Sequence, residues 1–138
     1  MLKIPRSIYD DLIARAREGL PLEVCGILGG RGDRVTVMYP MTNADASSEH
    51  FTLDAREQFA VNRALRERGA STLAIYHSHP ATPAHPSGED IRLAYTPGVS
   101  HLIISLADPA GADVRSFVIE DGRVQRERLE ILCDPEPA

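Results

Sequence analysis

Residues 71–78, Ser-Thr-Leu-Ala-Ile-Tyr-His-Ser, constrain the fold more than any other stretch of the chain. The run is apolar on both of its alternating sets of positions, which is the pattern of a strand covered on both faces. Such a strand belongs inside a sheet, with helices layered on the sheet's faces. By period two, Leu73, Ile75, His77 and His79 share one face. The strand therefore delivers two histidines to its end, side by side.

The flanking sequence supplies the rest of that sheet. Residues 7–19 predict a helix with Tyr9, Leu12, Ile13 and Ala16 on one apolar stripe, Ser7 as N-cap and Gly19 as its stop. Two apolar runs, 24–28 and 34–39, flank Gly-Gly-Arg-Gly-Asp and predict a hairpin. Residues 40–49 read as loop and 50–53 as a short strand. A second helix is expected from Asp54, with Glu57 completing a capping box, Ala60, Val61, Ala64 and Leu65 buried, and Gly69 at its end. After the 80–86 loop come a short helix over 87–95 and strands over 101–107 and 113–120. Asp121-Gly122 is a strong hairpin turn leading to a strand over 124–132. The fold class is α/β or α+β around one sheet. A single domain is expected over 1–132, followed by a frayed tail, 133–138.

Composition narrows the functions. The 138 residues suit one core, and Lys+Arg 15 against Asp+Glu 20 leaves a net charge of −5. That balance argues against a nucleic-acid partner, which calls for a basic patch. No apolar run approaches the roughly 18 residues of a membrane span, and the N-terminal stretch lacks the pattern of a signal peptide, so a cytoplasmic location is expected. Cys25 and Cys133 form neither a CxxC pair nor a disulfide framework. Both read as reduced small hydrophobes, although Cys25 beside Glu23 is also a candidate reactive thiol.

The chemistry concentrates in His77-Ser-His-Pro-Ala-Thr-Pro-Ala-His-Pro-Ser-Gly-Glu-Asp90. His77 and His79 at i, i+2 place their Cα atoms about 6.5–7 Å apart on one strand face, close enough for both imidazoles to reach one ion. Zinc accepts imidazole nitrogen and carboxylate oxygen, and catalytic zinc commonly takes three protein ligands and a water. Asp90, in the first turn of a helix beginning at Ser87, is the candidate third ligand. Pro80, Pro83 and Pro86 restrict the loop and lower the entropy lost in holding it. Each piece also has a structural reading: hydrogen-bonded histidines at a strand end, and Ser87 and Asp90 as a helix cap. Glu23, just before an apolar strand and on one face with Cys25 and Ile27, is the candidate base, although spacing alone leaves it a solvated strand-start residue. His85, His50 and His101 read as surface or structural residues, with His85 able to flank the loop.

Glu23-Val-Cys-Gly-Ile-Leu, His77-Ser-His79-Pro and Pro86-Ser87-Gly-Glu-Asp90 together resemble the JAMM (MPN+) motif of the JAB-domain zinc metalloproteases, with every motif position filled. The order of elements agrees over nearly the whole chain. The resemblance implies a single JAMM/MPN domain, a mixed β-sheet flanked by helices, similar to cytidine deaminase. It implies that His77, His79 and Asp90 bind one Zn2+ per chain. It further implies that Glu23 holds and deprotonates water and that Ser87 hydrogen-bonds the oxyanion.

Within that family the chain is most similar to the small stand-alone prokaryotic members of the CysO-cysteine peptidase type, which share its length and a Glu-x-Cys-Gly stretch. It lacks the insertions of the eukaryotic deubiquitinases and the H-N-H-P-S-G of the RadC branch. The implied function is hydrolysis of the amide after the C-terminal Gly-Gly of a ubiquitin-like sulfur carrier protein, in cysteine or sulfur-metabolite biosynthesis. Alternatives are a zinc peptidase for peptidoglycan or phage-tail peptides and a non-catalytic MPN interaction module. A zinc deaminase would need H-x-E and P-C-x-x-C, which are absent.

Overall fold

A computed structural model describes residues 1–133; residues 134–138 of the expected tail lie outside it. The elements run β1 (Leu2–Pro5), α1 (Arg6–Glu18), β2 (Cys25–Arg31), β3 (Arg34–Met41), α2 (Ala55–Glu67) and β4 (Ser71–His79). They continue with α3 (Gly88–Arg92), β5 (Ser100–Ser105), β6 (Asp113–Glu120), β7 (Arg123–Glu127) and β8 (Leu129–Leu132). Within the described residues the strands form one eight-stranded sheet, ordered β7-β6-β5-β4-β2-β3-β1-β8. It is mixed: β4 runs parallel to β5 and antiparallel to β2.

The both-face apolar strand is central, as its pattern requires. Ala74 and Tyr76 join Leu28, Leu102 and Ile104 in a core cluster with Leu12 and Ala16 of α1. On the opposite face, Ile27 packs with Val61 and Leu65 of α2. Ile103 and Phe117 pack there with Ala84 and the partly buried Ile91 of α3. Ile75, His77 and His79 share this second face. Leu73 does not: Leu28 pairs with Ala74 but Gly29 with Thr72, and this bulge sends Leu73 to the α1 cluster.

Several local expectations need correction. Ser7 is not the cap of α1. Strand β1 runs straight into the helix, and Pro5, at φ −61, occupies the N-cap without a side-chain bond. The hairpin strands extend through Gly29 and Gly30, leaving Gly32, at φ 61, to open a shorter turn. Asp54 caps α2 by accepting the Arg56 and Glu57 N–H groups, but Glu57 turns away to bind Thr42, so no box closes. Ala60 is exposed and Val61 and Leu65 carry that helix's burial. Residues 50–53 supply one isolated bridge, Asn43 to Leu53, rather than a strand. Helix α3 ends at Arg92, with Leu93 as its C-cap, and so is shorter than the expected 87–95.

The expected last strand is two strands. Asp121 and Gly122 both take positive φ, 50 and 74, as a tight β-hairpin turn demands. Beyond Arg128 the chain then leaves β6 and pairs with β1 at the other end of the sheet. Since β7 and β8 are the two end strands and one residue joins them, the sheet curls until its ends meet. Among the described residues no helix is long and apolar enough to cross a membrane.

Candidate metal centre

The end of β4 presents His77 and His79 on the α2–α3 face, and the N-terminus of α3 brings Asp90 to them. His77 Nε2 lies 3.0 Å from His79 Nε2 and 3.1 Å from Asp90 Oδ2, and His79 Nε2 lies 3.2 Å from the same oxygen. Only His77, His79 and Asp90 form such a ligand group among the described residues. The cluster is recessed, with His77 2% and His79 3% exposed.

The donor chemistry suits a cation. The Nδ1–H of His79 donates to the Pro83 carbonyl at 2.8 Å, so whenever the ring is neutral its lone pair sits on Nε2 and faces the cluster. Asp90 Oδ2 also offers lone pairs. Three potential acceptors within 3.2 Å of one another repel unless a proton or a metal ion lies among them. A tetrahedral ion about 2.0–2.1 Å from each ligand sets neighbouring ligands about 3.3 Å apart, close to the triangle observed.

Helix capping and cluster formation use the same atoms. Asp90 Oδ2 accepts the Ser87 N–H at 2.9 Å, and Ser87 Oγ accepts the Asp90 N–H at 3.0 Å, a reciprocal capping box. The structural reading of this pair as a helix cap is therefore realised, and the cap also holds Asp90 Oδ2 beside the two histidines. Burial alone would raise the Asp90 carboxyl, but the hydrogen bonds from His77, His79 and the Ser87 N–H outweigh it and hold the group well below the usual carboxylate range. Burial pushes His77 down, toward the neutral form a metal requires. At His79 burial opposes protonation, yet the Asp90 and Pro83 bonds reverse it and raise the ring.

Glu23 is not the solvated strand-start residue that spacing suggests. It precedes β2 and is buried, and its Oε1 has no hydrogen-bond partner. Cys25 pairs with His77, and the Ser78 N–H donates to the Val24 carbonyl at 3.0 Å. Continuing that antiparallel register sets Glu23 opposite His79, on the same face. Burial pushes its carboxyl up to about 7, against the attraction of His79. The next residues need a small backbone: a Cβ on Gly26 would strike the Tyr76 ring and the Tyr39 carbonyl. Burial pushes the Cys25 thiol up to about 12, so it is a core residue and not a reactive thiol.

The raised carboxyl has a consequence for stability. Glu23 holds its proton to about 7 in the fold against a reference of 4.5, so its contribution is full at low pH and is lost as pH rises through that window. Metal-free wild type and Glu23→Gln, compared by urea unfolding at several pH values, should show this. Wild-type stability relative to the variant is expected to fall between pH 4.5 and 7 and to be flat on either side. A constant difference would mean that Glu23 is solvated.

Sequence reasoning missed several groups at the site. The Phe51 ring stacks on His77 at 4.5 Å, with planes 23° apart. The Pro83 carbonyl and Asn43 are equally absent from any motif. His101 is buried and lines a groove of about 380 Å³ with Phe51, Ile75, His77, Asp90 and Tyr95. His85 lies apart, edge-on to Phe117 at 5.6 Å, whereas His50, half-buried and paired with Asp45, also lines the groove.

Comparison with known proteins places this geometry. Residues 5–120 match the family of prokaryotic homologues of the JAB domain. The CysO-cysteine peptidase of Mycobacterium tuberculosis is 37% identical over 134 residues, 96% of this chain and 92% of that protein. A desampylase of Haloferax volcanii is 34% identical over 111 residues, 75% of this chain and 80% of that protein. The solution structure of protein DSY2949 from Desulfitobacterium hafniense superposes with a TM-score of 0.89 at 44% identity, covering 99% of this chain and 96% of that one.

Proposed function

The chain belongs to the prokaryotic homologues of the JAB domain, and from that premise we propose that it is a cytoplasmic zinc peptidase with residues 1–132 as its single domain. Its reaction is hydrolysis of the amide after the C-terminal Gly-Gly of a ubiquitin-like sulfur carrier protein. The observation that carries this reading is the triangle of His77, His79 and Asp90 at 3.0–3.2 Å, with a buried carboxylate opposite His79. The resemblance to a peptidase named for CysO-cysteine supports the substrate class.

In this mechanism His77, His79 and Asp90 would hold the zinc. When bound, zinc lowers the pKa of water to about 7 and polarises a carbonyl. Glu23 accepts the proton of the attacking water and returns it to the departing amine. Its carboxyl is buried on the same strand face as His79, with Oε1 free of any hydrogen-bond partner, and is thus available for both transfers. The Oγ of Ser87 already accepts from the Asp90 N–H, which leaves its own hydrogen to donate to the developing oxyanion. Glycines suit the cleaved tail because the ligands are recessed, and a backbone without Cβ comes closest to them.

Incubating the zinc-loaded protein with a Gly-Gly carrier extended by one cysteine tests the reading by intact mass. Loss of that cysteine alone, blocked by a chelator and weakened when the last glycine becomes alanine, is expected. Short Gly-Gly peptides should be poor substrates, since binding to the carrier's globular part supplies much of the transition-state stabilisation. An intact carrier after prolonged incubation would refute the substrate assignment.

A further inference from the structure

We propose that Asn43 is a positioning residue for Glu23, a single side chain that fixes both the backbone of the base and the loop that carries Phe51 onto His77. This rests on the reading of Glu23 as the proton acceptor.

The hydrogen bonds around Glu23 are unusual for a residue at the entry of a central strand. Its N–H donates to the Ser47 carbonyl at 2.8 Å, outside any ladder. Its carbonyl accepts from Asn43 Nδ2 at 3.1 Å. The next N–H, that of Val24, donates to Ser78 Oγ at 2.8 Å. Loop and side-chain groups thus hold the base where β2 has not yet begun.

Asn43 is the hub of that arrangement. Besides the Glu23 carbonyl, Nδ2 donates to the His50 carbonyl at 3.0 Å, with the Ser47 carbonyl a long third contact at 3.5 Å. Oδ1 accepts the Asp45 N–H at 3.0 Å and the Thr52 N–H at 3.2 Å. Two donors and two acceptor sites are all that an amide has, and here all are used. Through these bonds both ends of the 43–53 loop converge on one side chain. The loop residue between His50 and Thr52 is Phe51, whose ring lies on His77.

The division between donor and acceptor sides gives the test its discrimination. The two Oδ1 bonds shape the local turn, and an aspartate reproduces them. The Nδ2 bonds reach the base and the carbonyl before Phe51. An aspartate there replaces donors with an oxygen facing two carbonyl oxygens. If Asn43 merely shapes a turn, Asn43→Asp is harmless and only Asn43→Ala is damaging.

We expect Asn43→Asp to match Asn43→Ala, with kcat down about 10²-fold, the scale that a misplacement of about 1 Å produces. KM and zinc content should stay near wild type. Amide hydrogen exchange of the zinc-loaded protein gives a readout independent of turnover. The Glu23 N–H should lose protection in both variants while Ile75 and Leu102 in the core strands keep theirs. Wild-type activity in Asn43→Asp, or a protected Glu23 N–H, would overturn the inference. Should wild type itself leave the carrier intact, the substrate reading fails, and the exchange measurement still decides whether Asn43 fixes Glu23. Loss of core protection in both variants would mark Asn43 as a folding residue and also overturn the proposal.

Discussion

Glu23→Gln is expected to lower kcat by about 10²–10⁴-fold, the usual worth of a positioned acid–base group, and to leave zinc bound. Glutamine keeps the shape and the hydrogen-bonding oxygen of glutamate but cannot accept the proton of water at neutral pH. The carboxyl stands outside the ligand group formed by His77, His79 and Asp90, so its loss leaves the metal's ligands in place. A neutral side chain also suits its buried position better than a charged one, and the fold should not suffer. Because the interaction develops in the transition state, KM should change little. Steady-state kinetics on the carrier substrate, paired with elemental analysis of the same sample, checks both halves. A variant without zinc would make Glu23 a ligand, and a fully active one would place the base elsewhere.

Much of this architecture was legible because its signals are local. The both-face apolar run marks β4 as a central strand. The Asp121-Gly122 pair specifies its turn through two positive φ angles. The Ser87–Asp90 cap requires only helix-end chemistry, and the same spacing brings Asp90 Oδ2 to the histidines. The motif resemblance added Glu23, which spacing alone left at the surface.

What escaped was non-local. Leu2–Pro5 is a four-residue strand whose ladder partners are β3 and β8, far along the chain, and no turn residue separates it from α1. The break at Arg128 has neither glycine nor proline. It arises because the sheet curls until its two ends meet, a property of the whole sheet rather than of residues 124–132. Asn43 sits in a polar loop where asparagine is commonplace, and its reach to the Glu23 and His50 carbonyls depends on how that loop folds back. The burial of Glu23 likewise follows from the register that sets it opposite His79, not from its neighbours in sequence.

Removing a ligand is expected to have the largest effect of all. His77→Ala deletes one corner of the triangle and leaves two donors, fewer than the three protein ligands typical of catalytic zinc. It also empties the space beneath Phe51, so a second variant is needed to separate metal loss from repacking. Asp90→Asn serves. Its amide oxygen can still accept the Ser87 N–H and cap α3, but the carboxylate charge is gone. Both variants should lose zinc and hydrolysis together, and Asp90→Asn should do so with its fold intact.

Titration of zinc into the metal-free wild-type protein, with release of cysteine from the carrier followed at each addition, tests the central claim most directly. Activity should rise from nothing, in proportion to the zinc added, and level off at one equivalent per chain, with no response in Asp90→Asn. Hydrolysis by the metal-free protein, or an equal response in Asp90→Asn, would contradict the account.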